Sequence, residues 1–208
     1  MTASPAAFWD KIARKYAARP VGNIPAYEAT LDHTRSYLKP GDRVLEIACG
    51  TGSTAISLAP AVAEFVATDV SGEMVEIGRE KTWDAGLQNL SFVKAAADRG
   101  ELPDGPFDAV LAFNALHLLD NLDAGLAEIH SLLAPGGLLI SKTVCIGGPL
   151  SPFRPLIATM QLFNKAPNVL YLTTDKLRDR IEAAGFDIVD VQDFNNSAKR
   201  PYFVARKS

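Results

Sequence analysis

The chain has 208 residues, 48% of them hydrophobic, and a formal net charge of −3 at pH 7. That is apolar material for one sizeable core, and the acidic balance, without any dense Lys/Arg run, argues against a nucleic-acid partner. Two cysteines far apart (Cys49, Cys145) make no disulfide framework, and His33, His117 and His130 form no close pair, so no metal site is expected.

In chain order, Ser4-Pro5 reads as a helix start, and Phe8, Ile12 and Tyr16 repeat at four-residue spacing up to Arg19-Pro20. The N-terminus has no basic flank followed by an apolar core, so no signal peptide is expected. No uncharged apolar run approaches the ~20 residues of a membrane span; the expected location is the cytoplasm. A second helix is predicted from about Pro25 to Leu38, with Tyr27, Leu31 and Leu38 on one face. Alternation follows: strand Arg43–Ala48, helix Ser53–Pro60, strand Glu64–Asp69, helix Gly72–Ala85, strand Leu90–Ala95, strand Phe107–Phe113, helix Leu122–Leu133. Ala134-Pro135-Gly136-Gly137 reads as a turn before a strand at Leu138–Val144. A Gly/Pro-rich stretch leads to a helix at Phe153–Phe163. Thr173 caps another helix that stops at Gly185, and strands Phe186–Asp193 and Pro201–Arg206 flank a turn at Asn195-Asn196-Ser197. Strands alternating with helices predict an α/β, doubly wound, mostly parallel sheet with helices on both faces. The last two strands, joined by a short turn, add an antiparallel edge. One domain spanning residues 1–208 is expected.

"RVLEIACGTGSTAISLA" (residues 43–59) is the most informative stretch. Gly50-x-Gly52-x-x-Ala55 follows a strand and opens a helix. Glycine suits a backbone at positive φ or close to a ligand, and a helix N-terminus offers unpaired N–H groups to an anionic group. An ordinary tight turn is the plainer alternative. Glu46 bears on the choice of cofactor. A dinucleotide would bring a pyrophosphate towards that acid, which would repel it. S-adenosylmethionine has no phosphate and carries a sulfonium and an α-ammonium, which the acid complements; the local alternative is that Glu46 caps or pairs nearby. Asp69 ends the next strand about twenty residues on, placed to accept bonds from ribose hydroxyls of either cofactor. Ser71 is the expected cap of the following helix. Met74, one turn in, is equally a core residue or an adenine contact.

"VLEIACGTG", "ATDVSGEMV", "FDAVLAFNALHLL" and "LLAPGGLLI" together resemble the class I S-adenosylmethionine-dependent methyltransferases, over roughly Phe8 to the C-terminus. The resemblance implies a Rossmann-like, seven-stranded sheet of order 3-2-1-4-5-7-6 with strand 7 antiparallel. It implies S-adenosylmethionine as cofactor, S-adenosylhomocysteine as product and a small-molecule acceptor. By the same resemblance Glu46, Ala48, Gly50, Thr51 and Gly52 hold the methionine end and Asp69 the ribose. Val70 and Met74 lie on the adenine, and Phe113 and Asn114 face the methionine moiety and the acceptor. "VKAAAD" departs from the family: Ala96 stands where an adenine-binding acid is common, leaving Asp98 or the Ala97 backbone to serve. "FWDKIARKYA" resembles the capping segment of small-molecule members, so that Trp9 and Tyr16 would close over the site and residues 1–40 would form a helical cap.

Methyl transfer needs alignment and water exclusion more than acid–base groups, so the catalytic residues are left unknown, with His117 as the one candidate base. His33 is expected at the surface or packing a helix, and His130 exposed. Cys49 is expected as a small loop residue and Cys145 in the core. Residues 146–173 are expected as a substrate-side insertion whose apolar face (Leu156, Ile157, Met160, Phe163), with Tyr171, contacts the acceptor or a second copy in a homodimer. Two rivals remain. An NAD(P)-dependent short-chain oxidoreductase needs Tyr-x-x-x-Lys, but Tyr16, Tyr27, Tyr37, Tyr171 and Tyr202 are followed four residues on by Pro20, Leu31, Gly41, Asp175 and Arg206. A non-catalytic cofactor-binding protein of the same fold would be marked by loss of the glycines or of Asp69, and both are present.

Overall fold

The Ser4 side chain accepts the Ala7 N–H at 3.3 Å and starts α1 (Pro5–Ala17). The computed structural model describes residues 4–148, 151, 153–162, 166–195 and 199–208. Asn23 caps α2 (Ile24–Arg35) in the same way, through the Ala26 N–H. That helix stops short of the expected Leu38, because Tyr37 and Leu38 bond back three residues, to Thr34 and Arg35, and tighten the chain into a turn. The alternating elements follow as β1 (Arg43–Ile47), α3 (Ser53–Leu58), β2 (Glu64–Asp69), α4 (Gly72–Asp84), β3 (Leu90–Lys94), β4 (Phe107–Phe113), α5 (Leu122–Leu132) and β5 (Leu133–Lys142). Last come α6 (Phe153–Leu162), α7 (Thr174–Ala183), β6 (Phe186–Gln192) and β7 (Tyr202–Lys207). Asn196 and Ser197 of the expected turn, and Phe163, lie outside the described residues.

The sheet order is β3-β2-β1-β4-β5-β7-β6, parallel except for β7, which runs antiparallel to both β5 and β6. This is the expected order. β5 differs from expectation. Leu133 is buried and pairs with Phe107, so the strand begins there, directly after α5. Ala134–Gly137 is then an interruption inside the strand rather than a turn before it. The register shifts between Phe107 and Ala109, and Gly136 takes φ 73°. Lys142 ends the regular ladder, and Thr143 and Cys145 bond instead to the carbonyls of Pro201 and Lys199.

Side chains alternate across the sheet. Leu45 and Ile47 face one core, with Leu126 and Ile129 of α5 and Leu177 and Ile181 of α7. Val44 lies in the other core, with Leu31, Ala55 and Leu58 of α2 and α3. Glu46 shares the face of Val44, so the alternation itself carries this carboxylate beneath α3. Two tethers hold the N-terminal helices over the sheet. Asp10 of α1 accepts from the Ser71 hydroxyl at 2.6 Å and the Glu73 N–H at 3.2 Å, while Ala13 packs with Met74 and Ile77. On α2, His33 pairs with Asp190 at 2.6 Å, Thr34 with the Tyr202 hydroxyl at 3.0 Å, and Thr30 accepts from Lys142 at 2.7 Å. His33 is thus a half-buried anchor, as expected of a helix-packing residue. His130, expected exposed, is half-buried, with its ring edge-on to Phe186 at 5.1 Å.

α4 packs closely against β3. A Cβ built on Gly78 would lie 2.3 Å from the Phe92 ring. Gly78→Ala is therefore expected to destabilise the fold by about 1–3 kcal/mol through overpacking. Urea unfolding measures the loss, and Phe92→Leu in the same chain should restore part of it.

Candidate active site

Three residues within five take left-handed backbone at the end of β1: Ala48 (φ 49°), Gly50 (φ 56°) and Gly52 (φ 75°). The two glycines serve different purposes. A Cβ on Gly50 would find only Tyr16 at 3.8 Å, so its φ is the requirement there. One on Gly52 would strike the Phe92 ring at 2.4 Å. Gly52, expected to bind cofactor, therefore turns inwards against α4 and β3 and does not line the cavity. Backbone bonds fix the loop: Cys49 N–H to the Thr68 carbonyl at 2.9 Å, and Gly52 N–H to the Cys49 carbonyl at 3.1 Å. Lys81 reaches from α4 to donate to the Thr51 carbonyl and hydroxyl.

Asp69 ends β2 beside this loop. Its two oxygens accept the N–H groups of Gly50 and Ser71, each at 2.9 Å. Burial raises its carboxyl from the ordinary range, while those N–H groups pull it back. A carboxylate oxygen has two lone-pair directions, so each remains able to take a further donor. Glu46 is placed differently. It is 2% exposed, and its Oε2 is buried with no partner among the described residues. Burial, then the charge of Asp69, pushes its carboxyl up to about 8, while the Ala55 N–H of α3 pulls the other way. Both expectations for Glu46 thus have a basis: it touches the helix start and also lines the cavity. Cys49 is held as a thiol by burial and by these two acids, which removes it as a nucleophile.

A cavity of about 840 Å³ opens above these residues, within the ~300–1,000 Å³ range of small-molecule sites. Of the residues expected at the site, its wall brings together Trp9, Tyr16, Glu46, Ala48, Gly50, Thr51, Asp69, Val70, Met74, Ala96, Ala97, Phe113, Asn114 and His117. Asn114 is the second non-glycine residue at positive φ (54°), its N–H bonded to the Lys142 carbonyl at 2.7 Å. At the departure from the family, the Ala96 N–H donates to Glu101 at 3.1 Å, and Asp98 lines the wall with one oxygen accepting the Asn121 N–H at 2.9 Å. His117 is 8% exposed, and its Nδ1 has no partner among the described residues. Burial and the neighbouring Arg200 push its imidazole down to about 4, so it is neutral at pH 7.

Met160 and Tyr171, expected on the substrate side, are not on the wall. Met160 is 37% exposed and Leu156 more so. Tyr171 instead carries the Arg154 guanidinium over its ring at 4.9 Å. Pro167 and Val169 take their place, on a segment pinned where the Leu170 N–H bonds the His117 carbonyl at 2.7 Å. Sequence reasoning missed Arg200 on the wall, and placed Tyr27 only on one face of the second helix.

A family model described as a methyltransferase domain matches residues 44–137. The ubiquinone/menaquinone biosynthesis C-methyltransferase UbiE of Coxiella burnetii (strain Dugway 5J108-111) is 32% identical over 111 residues, 51% of this chain and 44% of that protein. The chain thus spans about half the length of the curated relatives it matches. Among solved structures, an S-adenosylmethionine-dependent methyltransferase from Thermotoga maritima, described as a possible histamine N-methyltransferase, superposes with TM-score 0.71 at 20% identity, over 98% of this chain and 99% of that one. The [4+2]-cyclase SpnF superposes with TM-score 0.69 at 22% identity, over 88% and 80%. Over residues 44–137 the chain is thus similar to a methyltransferase domain, and its fold is that of the solved methyltransferases it superposes on.

Glu46 makes stability depend on pH. Its folded value, about 8, lies above the ordinary 4.5. The associated stability is therefore complete below about pH 4.5 and is lost as pH rises through 8, on the order of 1 kcal/mol per pH unit in between. In Glu46→Gln this slope should flatten. Urea midpoints of the two proteins, measured across that window, check it.

Proposed function

We propose that the protein transfers a methyl group from S-adenosylmethionine to a small-molecule acceptor. The observation that carries this reading is the Glu46 carboxylate, buried under the glycine loop with an oxygen left unbonded. Its neighbour Asp69 is also an acid. A pyrophosphate brought here would meet the charge of Asp69 and oppose any ionisation of Glu46, whereas an α-ammonium and a sulfonium complement Asp69 and let Glu46 ionise against them; the oxidoreductase alternative is disfavoured on that ground.

The residues present fit the cofactor. Glu46 would accept from the α-ammonium, and the N–H groups of the loop would hold the carboxylate of the methionine end. Asp69 would take the ribose hydroxyls on its remaining lone pairs. Val70 and Met74 would lie along the adenine, with Ala96, Ala97 and Asp98 at its edge. S-adenosylmethionine supplies a methyl carbon already activated by its sulfonium. The chain's own part is alignment and the exclusion of water. Trp9 and Tyr16, packed edge-on at 6.3 Å on the docked α1, would cover the methionine end. His117 is a poor base, because a catalytic base works best with a pKa near the working pH and its imidazole is held near 4. It would serve as a neutral hydrogen-bonding group beside the acceptor.

This reading treats residues 1–208 as one domain, with residues 1–40 as its cap and 146–173 as an acceptor-side insertion. The net charge of −3 supports a small-molecule partner over a nucleic acid. No helix among the described residues is long and apolar enough to cross a membrane. The two cysteines are both free thiols, which suits a reducing cytoplasm.

Parallel calorimetric titrations with S-adenosylmethionine, S-adenosylhomocysteine and NADH test the proposal. The first two should bind and NADH should not; binding of none would favour a non-catalytic or differently employed member of the fold. Asp69→Ala and Gly50→Val should each weaken binding at least about tenfold, the first by removing a charged acceptor and the second by straining the loop. Glu46 adds a signature of its own. It is protonated at pH 7 in the free protein and should ionise against the bound ammonium. Binding should then release up to about one proton, read as a heat that differs between buffers of different ionisation enthalpy, and Glu46→Gln should abolish that difference.

A further inference from the structure

The charged residues on the cavity wall divide unevenly. Arg99 is paired with Asp120 at 3.2 Å, Asp98 holds the Asn121 N–H, and Glu46 and Asp69 lie at the glycine loop. Arg19 and Arg200 also line the wall, neither in an ion pair with a carboxylate among the described residues, and Arg200 is the one beside His117. A second cation lies close to it: Lys142, half-buried, is held at 2.7 Å by the uncharged Thr30 hydroxyl, and Arg200 and burial both lower its ammonium. Asp193 is the acid that acts on Lys142. Arg200 on the wall, with the like charge of Lys142 close by and one acid, Asp193, acting on Lys142, leaves a positive excess. An entering anion relieves it.

The neutral groups nearby are of the matching kind. Six buried side-chain polar atoms lack partners among the described residues, and three belong to the cavity wall: Glu46 Oε2, Tyr27 Oη and His117 Nδ1. Glu46 lies at the loop, which leaves a hydroxyl and an imidazole elsewhere on the wall, the imidazole beside Arg200. A phenol donates one O–H, and a neutral imidazole donates one N–H. Buried polar groups are otherwise almost always satisfied, so these two mark where a bound group is missing. With Arg200 they supply donors to an anionic group.

We propose that the methyl acceptor is a small carboxylate whose anionic group is held by the Arg200 guanidinium, with the Tyr27 hydroxyl and the His117 imidazole as further donors. Arg200 is then a specificity-determining residue, and acids are chosen over their neutral counterparts of the same shape. The proposal rests on the methyltransferase reading above, and the test keeps the two apart.

The probes are three acid–amide pairs: indole-3-acetate and indole-3-acetamide, benzoate and benzamide, hexanoate and hexanamide. Each is titrated by calorimetry into the protein saturated with S-adenosylhomocysteine. At least one acid should bind, and more tightly than its amide by about tenfold or more, as expected for hydrogen bonds to a charged group. In Arg200→Ala the preference should vanish while S-adenosylhomocysteine affinity stays unchanged, which also shows that the variant is folded. Arg200→Lys should keep part of the preference. An amide that binds as well as its acid overturns the proposal. So does a preference that survives in Arg200→Ala, or no acid binding up to about 10 mM. Failure of S-adenosylhomocysteine to bind the unaltered protein is a different result: it removes the cofactor reading, and the acceptor proposal with it.

Discussion

Two acids buried side by side at the carboxyl edge of the sheet set the terms for everything around them. Among the described residues neither Glu46 nor Asp69 has a basic partner, and like charges at low solvation cannot both ionise cheaply. The fold distinguishes them by donors. Asp69 receives two backbone N–H groups, from Gly50 and Ser71, and these favour its charged form. Glu46 has only the Ala55 N–H, with one oxygen bare, and is held neutral up to about 8. To deliver the Gly50 N–H the loop must pass through left-handed backbone. To keep it there, Phe92 fills the space behind Gly52 and Lys81 clamps Thr51. The docking of α1 belongs to the same assembly, because Asp10 bonds Ser71, whose own N–H serves Asp69.

The acid pair also gives the cavity a direction. One end is acidic and suits a cationic ligand. Elsewhere the wall carries Arg200 beside the neutral His117, with Lys142 close to Arg200. Burial, and then Arg200, keeps His117 neutral, and a neutral imidazole next to Arg200 can donate without adding to the repulsion. A charged histidine there would have made the excess worse.

What the sequence shows and what it hides follow from how local each signal is. Strand limits at Glu64–Asp69 and Phe107–Phe113, the caps at Ser4, Ser71 and Thr173, and the glycine loop with its two acids depend on residues near one another in the chain. All were legible. The strand order was legible through the family resemblance, since periodicity alone leaves it open. Gly52 was assigned to the ligand because the Gly-x-Gly pattern does not say which glycine faces a ligand and which faces a ring; only Phe92, forty residues away, decides that. Met160 and Tyr171 were placed on the acceptor side by their apolar character, which cannot tell the wall of a cavity from an exposed helix face. Arg200 was passed over because it reaches the cavity only when β7 runs antiparallel next to β5 and brings residues 199–201 to the carboxyl edge. The Ala134–Gly137 turn was a sound local reading overruled by a distant partner, Phe107, which recruits Leu133 into the ladder.

The backbone strain confirms where the fold concentrates its constraints. Among the described residues only Ala48 and Asn114 are non-glycine residues at positive φ, a conformation that costs an L-residue roughly 1–2 kcal/mol. They follow β1 and β4, neighbours in the sheet and the two strands at which the order 3-2-1 changes to 4-5. Crossovers leave these strands in opposite directions, so their ends part and a crevice forms between them, the usual place for a ligand in an open α/β sheet. Each strained residue turns the chain sharply at the edge of that crevice. Each is also held by a short backbone bond to a neighbouring strand, through the Cys49 N–H to Thr68 and the Asn114 N–H to Lys142. Asparagine tolerates the conformation better than most residues, which suits position 114; alanine has no such advantage, so Ala48 bears the larger cost. Relaxing Ala48 would swing the following N–H groups away from Asp69 and leave that acid buried without donors. An uncompensated buried carboxylate costs more than one strained alanine, and the loop keeps its shape for that reason.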